Sequence, residues 1–401
     1  MGEPKLRFKA DDGSDFPNWE EKTLGELCEP LTYGMNAAAT KFDGENRYIR
    51  ITDIDDETHA FLSNDVVSPS GELDDKYLVK KGDILLARTG ASTGKSYLYH
   101  PKDGKLFYAG FLIKAHVLPS SDDYFIYSQT LTDRYGKWVK TTSMRSGQPG
   151  INANEYASYS FSVPSLPEQR KIADLLSAVD DVISAQEAEV AAWEKRKKGV
   201  MQKLFSQEVR FKADDGSDFP DWEEKTLGDV GSVAMCKRVF KEQTREVGDV
   251  PFFKIGTFGD VPDAYISKSL FDELKSKYAY PKVGTILLSA SGTIGRQVEY
   301  NGEDAYYQDS NIVWLEHDDT VLDSYLKQFY SVVKWQGLEG STIKRLYNKT
   351  ILDTPFYRPS LPEQRKIAEC LALLDDVIAK AKDELDAWRE LKKGLLQQMF
   401  V

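Results

Sequence analysis

One segment, written twice, constrains this chain more than any other feature. Ser165-Leu-Pro-Glu-Gln-Arg-Lys-Ile-Ala173 returns unchanged as Ser360 to Ala368, a shift of 195. The match continues in the same register: Asp180-Asp-Val-Ile183 at Asp375 to Ile378, Trp193 at Trp388, Lys197-Lys-Gly199 at Lys392 to Gly394, and Phe205 at Phe400. Apolar residues in each copy step by threes and fours, which predicts a long helix with one apolar seam. Ser165 with Glu168, and Ser360 with Glu363, fit the capping-box pattern S-x-x-E at its start. Pro167 and Pro362 fall in the first turn, where a missing N–H does no harm. About 40 residues at ~1.5 Å each give a rod of roughly 60 Å. Such rods suit coiled-coil-like pairing with each other. The candidate residues for docking on a partner helix are Ile172, Leu176, Val179, Ile183, Trp193, Ile367, Leu371, Leu374, Ile378 and Trp388.

A second repeat has a different shift. Arg7 to Pro17 returns as Arg210 to Pro220, and Trp19 to Gly25 as Trp222 to Gly228, a shift of 203. The chain therefore divides into a globule (1–164), a rod (165–205), a second globule (206–358) and a second rod (359–401). If the first rod runs from one globule to the other, the second must run back, so the rods are antiparallel about a pseudo-two-fold axis. Gln207-Glu-Val-Arg-Phe-Lys resembles Glu3-Pro-Lys-Leu-Arg-Phe-Lys, so the arrangement reads as circular.

Inside the globules the sequences diverge while a coarse plan persists. Residues 47–54 alternate as a strand, with Phe252-Phe-Lys-Ile255 in the matching place. Gly82-Asp-Ile-Leu-Leu-Ala-Arg-Thr-Gly90 and Gly284-Thr-Ile-Leu-Leu-Ser-Ala-Ser-Gly292 each read as a strand entering a glycine turn. Phe111 to Leu118 and Asn311 to Leu315 are further strands; Tyr124 to Val139 and Leu322 to Leu338 read as amphipathic helices. The fold class is α+β: two β-rich globules separated by two long antiparallel helices.

Composition excludes several classes. A hydrophobic fraction of 41% with 12% aromatics is globular. The net charge of −12 argues against indiscriminate nucleic-acid binding, so a DNA surface has to be a local basic patch. Cys28, Cys236 and Cys370 form neither a disulfide framework nor a zinc site. No apolar run or leader pattern points to a membrane or to export, so a cytoplasmic protein is expected. Gly90-Ala-Ser-Thr-Gly-Lys-Ser96 is one residue short of a phosphate loop between its glycines. Asp353-Thr-Pro-Phe-Tyr357 departs from the amino-methyltransferase motif at its second residue, and no donor-binding turn precedes it. The four histidines show no metal spacing and no triad pattern. No catalytic residue and no metal ligand is expected.

Duplicated Leu-Pro-Glu-Gln helices, each after a variable globule holding a Gly-Asp-Ile-Leu or Gly-Thr-Ile-Leu strand and a glycine turn, resemble the specificity subunits of type I restriction–modification systems. The resemblance spans essentially the whole chain. It implies a bacterial or archaeal protein whose globules are target-recognition domains, each reading half of a bipartite, asymmetric double-stranded DNA site. It implies that the rods set the unread spacer and dock two modification subunits. S-adenosylmethionine would sit on those adenine-methylating partners. ATP and Mg would belong to restriction subunits, where present, and this chain would need no cofactor.

Residue type and loop position select the candidate DNA contacts, since Arg, Lys, Gln and Asn read base edges while hydroxyls and glycine N–H groups hold phosphates. In the first globule these are Arg88, Thr89, Ser92, Thr93, Lys95, Lys140, Arg145, Ser146, Gln148 and Asn152. In the second they are Ser289, Ser291, Thr293, Arg296, Thr342, Lys344, Arg345, Asn348 and Lys349. The alternative is a structural adaptor joining two identical proteins through its rods; divergent heads argue against it.

Overall fold

The computed structural model describes residues 4–144, 147–335 and 345–400. The chain forms two compact units, Met1–Ala188 with Lys382–Val401, and Glu189–Ala381. Both long helices are present, Leu166–Phe205 and Leu361–Met399, and each contributes one part to each unit.

In the first unit a four-stranded antiparallel sheet runs in the order Thr32–Tyr33, Leu112–His116, Asp83–Ala87, Ser96–Leu98. The Asp83–Ala87 strand is buried along its whole length. Side chains alternate across a strand, so Ile84 and Leu86 enter the core shared with the long helices, while Leu85 and Ala87 enter a second core with Ile49, Tyr97 and Leu106. Two covered faces explain the unbroken apolar run in the sequence. The second unit repeats the sheet as Gly231–Ala234, Ile312–His317, Ile286–Ser289, Gln297–Glu299. Ile286 and Leu288 face the helix-side core there, and Leu287 faces the other.

The helices run antiparallel within each unit. In the first, Asp180 meets Lys392 at 2.7 Å and Glu187 meets Arg389 at 2.8 Å, so rising numbers oppose falling ones. In the second, Lys197 pairs with Asp375, while Met201 and Leu204 share a core with Ile367 and Leu371. The residues expected to dock on a partner helix divide by burial. Ile172, Leu176, Val179, Ile183, Ile367, Leu371 and Ile378 are all buried within this chain, out of reach of a second protein. Ile172 and Leu176 lie against Leu396, Met399 and Phe400 in the first unit's core. Trp193, Leu374 and Trp388 are half-buried.

The two chain ends meet in the first unit, where the Leu6 N–H donates to the Gln398 carbonyl at 3.0 Å. The second unit makes the same join by chain continuity: the Val209 N–H donates to the Lys203 carbonyl at 3.2 Å.

The repeated Leu-Pro-Glu-Gln motif does not build a capping box. Among the described residues the buried Ser165 and Ser360 hydroxyls have no hydrogen-bond partner. Glu168 instead receives Arg7 Nε at 3.0 Å, Arg7 Nη2 at 2.8 Å and Trp19 Nε1 at 3.3 Å. Glu363 receives Arg210 and Trp222 in the same way. Gln169 accepts from the Asp122 N–H and donates to the Pro164 carbonyl, both at 2.9 Å. Gln364 does the same with Leu322 and Pro359. The motif ties the helix start to the two segments packed on it. The buried carboxylate has stronger donors than its own helix's first N–H, because an arginine fork fits a carboxylate with two charge-assisted bonds.

Two elements are shorter than their patterns suggest. The expected helix over 124–139 is two helices, Asp123–Gln129 and Asp133–Thr142, because Thr132 turns its hydroxyl to the Tyr135 N–H and caps a new start. Its counterpart is the helix Asp323–Tyr330. The strand expected over 47–54 ends at Ile49, where Asp53 accepts from the Arg50 N–H and side chain and closes a 3-10 turn.

Candidate functional site

The candidates among the described residues gather around one end of each four-stranded sheet, where the glycine turn leaves the central strand. In the first unit Gly90 and Gly94 have φ of 73° and 93°. A Cβ on Gly94 would lie 2.5 Å from Val139, so only glycine fits between this turn and the Asp133–Thr142 helix. The turn joins two antiparallel strands with no helix after it, so it lacks the helix N-terminus of a phosphate loop.

The two units share one backbone frame at this end. Leu86 pairs with Ile113, and Leu288 with Val313, which aligns Arg88 with Ala290 and Phe111 with Asn311. The Arg88 N–H donates to the Phe111 carbonyl at 3.0 Å, and the Ala290 N–H to the Asn311 carbonyl at 2.7 Å. The loop ahead of the next short helix is pinned alike: Ile151 N–H to Arg88 carbonyl at 2.9 Å, Leu346 N–H to Ala290 carbonyl at 2.8 Å. Gly150 therefore aligns with Arg345. A constant frame carries different side chains at its rim.

In the first unit that rim holds Arg88, Thr89 and Gln148. Arg88 lies over the Tyr33 ring, 4.8 Å from its centre, and Nη1 donates to the Gly110 carbonyl at 3.4 Å. Thr89 bridges to Gly150 through the backbone. Gln148 lies against Gly90. Ser92 ends the 3-10 turn Gly90–Ser92, and Thr93 donates to the Gly90 carbonyl at 2.8 Å. Lys140 is exposed on the last turn of the Asp133–Thr142 helix. In the second unit Ser291 donates to Asn311 Oδ1 at 2.9 Å, Thr293 is exposed, and Arg345 Nη2 donates to the Ser310 carbonyl at 2.8 Å. Asn348 and Lys349 are exposed on the helix Asn348–Leu352.

Several candidates also make contacts that hold the fold together. Ser289 is buried, accepts from the Arg296 N–H at 2.8 Å and donates to the Thr293 carbonyl, so it braces the turn from within. Lys95 is largely covered; its ammonium holds the Ile54 carbonyl at 2.8 Å and Asp56. Arg296 likewise donates to the Phe258 carbonyl at 2.8 Å. Asn152 caps the helix Ala153–Ala157 in a capping box with Glu155. Arg145, Ser146, Thr342 and Lys344 lie outside the described residues.

The sequence reading missed Phe111 and Tyr33, which are exposed by 60% and 42% at this rim. Phe111 was expected inside a strand; the Gly before it was the cue to a turn. A groove of about 1510 Å³ also opens in the first unit beside the helices. Within it Lys392 and the Tyr124 hydroxyl meet Asp180, and Arg389 meets Glu187. Among the described residues, no group of His, Cys, Asp and Glu is placed to hold a metal ion. No helix among the described residues is long and apolar enough to cross a membrane.

The model of the type I restriction modification DNA specificity domain matches residues 17–192 and again 220–387. The chain belongs to this family. Each specificity domain contains one four-stranded sheet with its glycine turn and the first part of one long helix. A putative type I restriction enzyme specificity subunit from Haemophilus influenzae, S.HindORF215P, is 58% identical over 146 residues; the match spans 36% of this chain and 38% of that relative. The MjaVIII specificity subunit from Methanocaldococcus jannaschii is 24% identical over 98% of this chain and 95% of its own length. The crystal structure of the S subunit from M. genitalium shares the fold, with a TM-score of 0.59 and 19% identity over 100% of this chain and 99% of that one. A chain from a structure of type I R-M complex assembly and conformational transition gives 0.57 at 18% identity, covering 96% and 97%.

Proposed function

We propose that each specificity domain reads one half of a bipartite, asymmetric double-stranded DNA target through the glycine-turn end of its sheet. The observation that carries this reading is the common frame with unlike rims: Arg88, Phe111 and Gly150 in one domain stand where Ala290, Asn311 and Arg345 stand in the other. One scaffold holding different side chains is what two readers of different short sequences need. A chain with a net charge of −12 holds random DNA weakly, which favours the specific site.

The two long helices set the unread spacer. They also dock two modification subunits on the side facing away from the internal seam, where the second helix exposes Leu373, Val377 and Leu391. Those partners supply S-adenosylmethionine and methylate adenine, and restriction subunits with ATP and Mg join where the system has them. This chain contributes recognition and no chemistry.

The test is methylome sequencing of cells expressing this chain with its modification partner. A methylated motif of two short halves around a fixed unread gap is expected. A continuous motif, or none in cells where the complex assembles, contradicts the reading.

A further inference from the structure

Arg88 and Arg345 are not at matching positions, yet their guanidinium groups occupy the same seat. The register aligns Gly110 with Ser310, the residue two before the strand that pairs with the central one. Arg88 donates to the Gly110 carbonyl, and Arg345 donates to the Ser310 carbonyl. Arg88 reaches its carbonyl from the first residue after the central strand. Arg345 reaches its own from the loop ahead of the next helix. Where one domain has the arginine, the other has a small residue: Ala290 opposite Arg88, and Gly150 opposite Arg345. One guanidinium is thus supplied to each frame, by different routes.

The seat does not use up the arginine. Neither side chain meets a carboxylate among the described residues, in contrast to Arg50 on Asp53 or Arg358 on Glu223. A single carbonyl bond leaves most of the N–H donors of each fork unused. Backbone and, in the first domain, the Tyr33 ring orient the group without neutralising it. A carbonyl beyond the end of a strand can be satisfied by water, so folding alone gives little reason for a cation at this place in both domains.

We infer that Arg88 and Arg345 are the specificity-determining residues of the two domains, each donating a two-pronged hydrogen bond to a guanine in its own half-site. This rests on the half-site reading above. The neighbour at the rim then distinguishes the domains, with apolar Phe111 suited to a thymine methyl and Asn311 to an adenine edge.

The experiment compares the wild-type chain with Arg88→Ala, Arg88→Lys, Arg345→Ala and Arg345→Lys, each expressed with the modification partner, by methylome sequencing and by competition binding of the assembled complex. The wild-type motif should contain a G·C pair in each half. Each Arg88 variant should relax one such position in one half, and each Arg345 variant one in the other. Discrimination at that position should fall roughly ten- to hundred-fold. Lysine keeps the charge and lacks the fork, so it should relax the position while holding overall affinity; it also serves where an alanine variant fails to accumulate. A half-site without G·C, an unchanged motif, or an even loss of binding across all sequences overturns this inference. A wild-type complex with no bipartite motif overturns the half-site reading itself.

Discussion

Arg7 and Glu168 form a two-pronged ion pair, with Nε at 3.0 Å and Nη2 at 2.8 Å from the two carboxylate oxygens and the Glu168 side chain fully buried. Among the described residues, removing Arg7 leaves the buried carboxylate with only the Trp19 N–H, 3.3 Å away. Loss of one partner of a buried pair costs about 3–5 kcal/mol. Arg7→Ala should therefore lower stability by that order in urea denaturation, and Arg210→Ala should do the same through Glu363. A change within ±0.5 kcal/mol would show that the carboxylate finds another partner.

Ser289→Ala tests the bracing role of a candidate DNA contact. The buried hydroxyl braces the Gly292–Gly295 turn through the Arg296 N–H and the Thr293 carbonyl. Its loss should cost about 1–3 kcal/mol in thermal denaturation, with the methylated motif unchanged. A changed motif at wild-type stability would return Ser289 to the reading surface.

The His317 imidazole is held above its ordinary value of 6.5, chiefly by its hydrogen bond to Asp323, with the Asp318 carbonyl accepting from the other ring nitrogen. A raised folded value means the contact contributes fully below 6.5 and fades as pH rises through the folded value. The stability difference between wild type and His317→Gln should be larger at pH 5.5 than at pH 8.5. A difference that grows with pH would contradict the assigned charge.

The long helices were readable to within a residue or so at their starts, because an apolar seam over forty residues leaves little freedom. The central strands were readable too, as apolar runs ending in glycine. What escaped was set by partners far away in sequence. Glu168 looks like a capping residue until Arg7, 161 positions earlier, reaches it. Arg88 and Arg345 share a seat only once strand register aligns Gly110 with Ser310. The broken helix at Thr132 was a local miss: a threonine hydroxyl competes for backbone N–H groups, and periodicity does not register it.

The helices can be tested as a ruler. Deleting Gln186 to Ala192 and Ala381 to Ala387 together removes one heptad from each and keeps the seam in phase. The rods shorten by ~10 Å, so the unread gap should lose at most ~3 base pairs at ~3.4 Å each. Both half-sites should stay as they are. An active variant with its original gap would show that something else sets the spacing.

Domain replacement tests most directly whether the two domains read independently. Residues 211–358 would be exchanged for the corresponding segment of a relative that recognises a different sequence, and the methylated motif read in cells with the modification partner. One half-site should change to the donor's while the other half, read by the first domain, is retained. If both halves change together, the domains do not read separately.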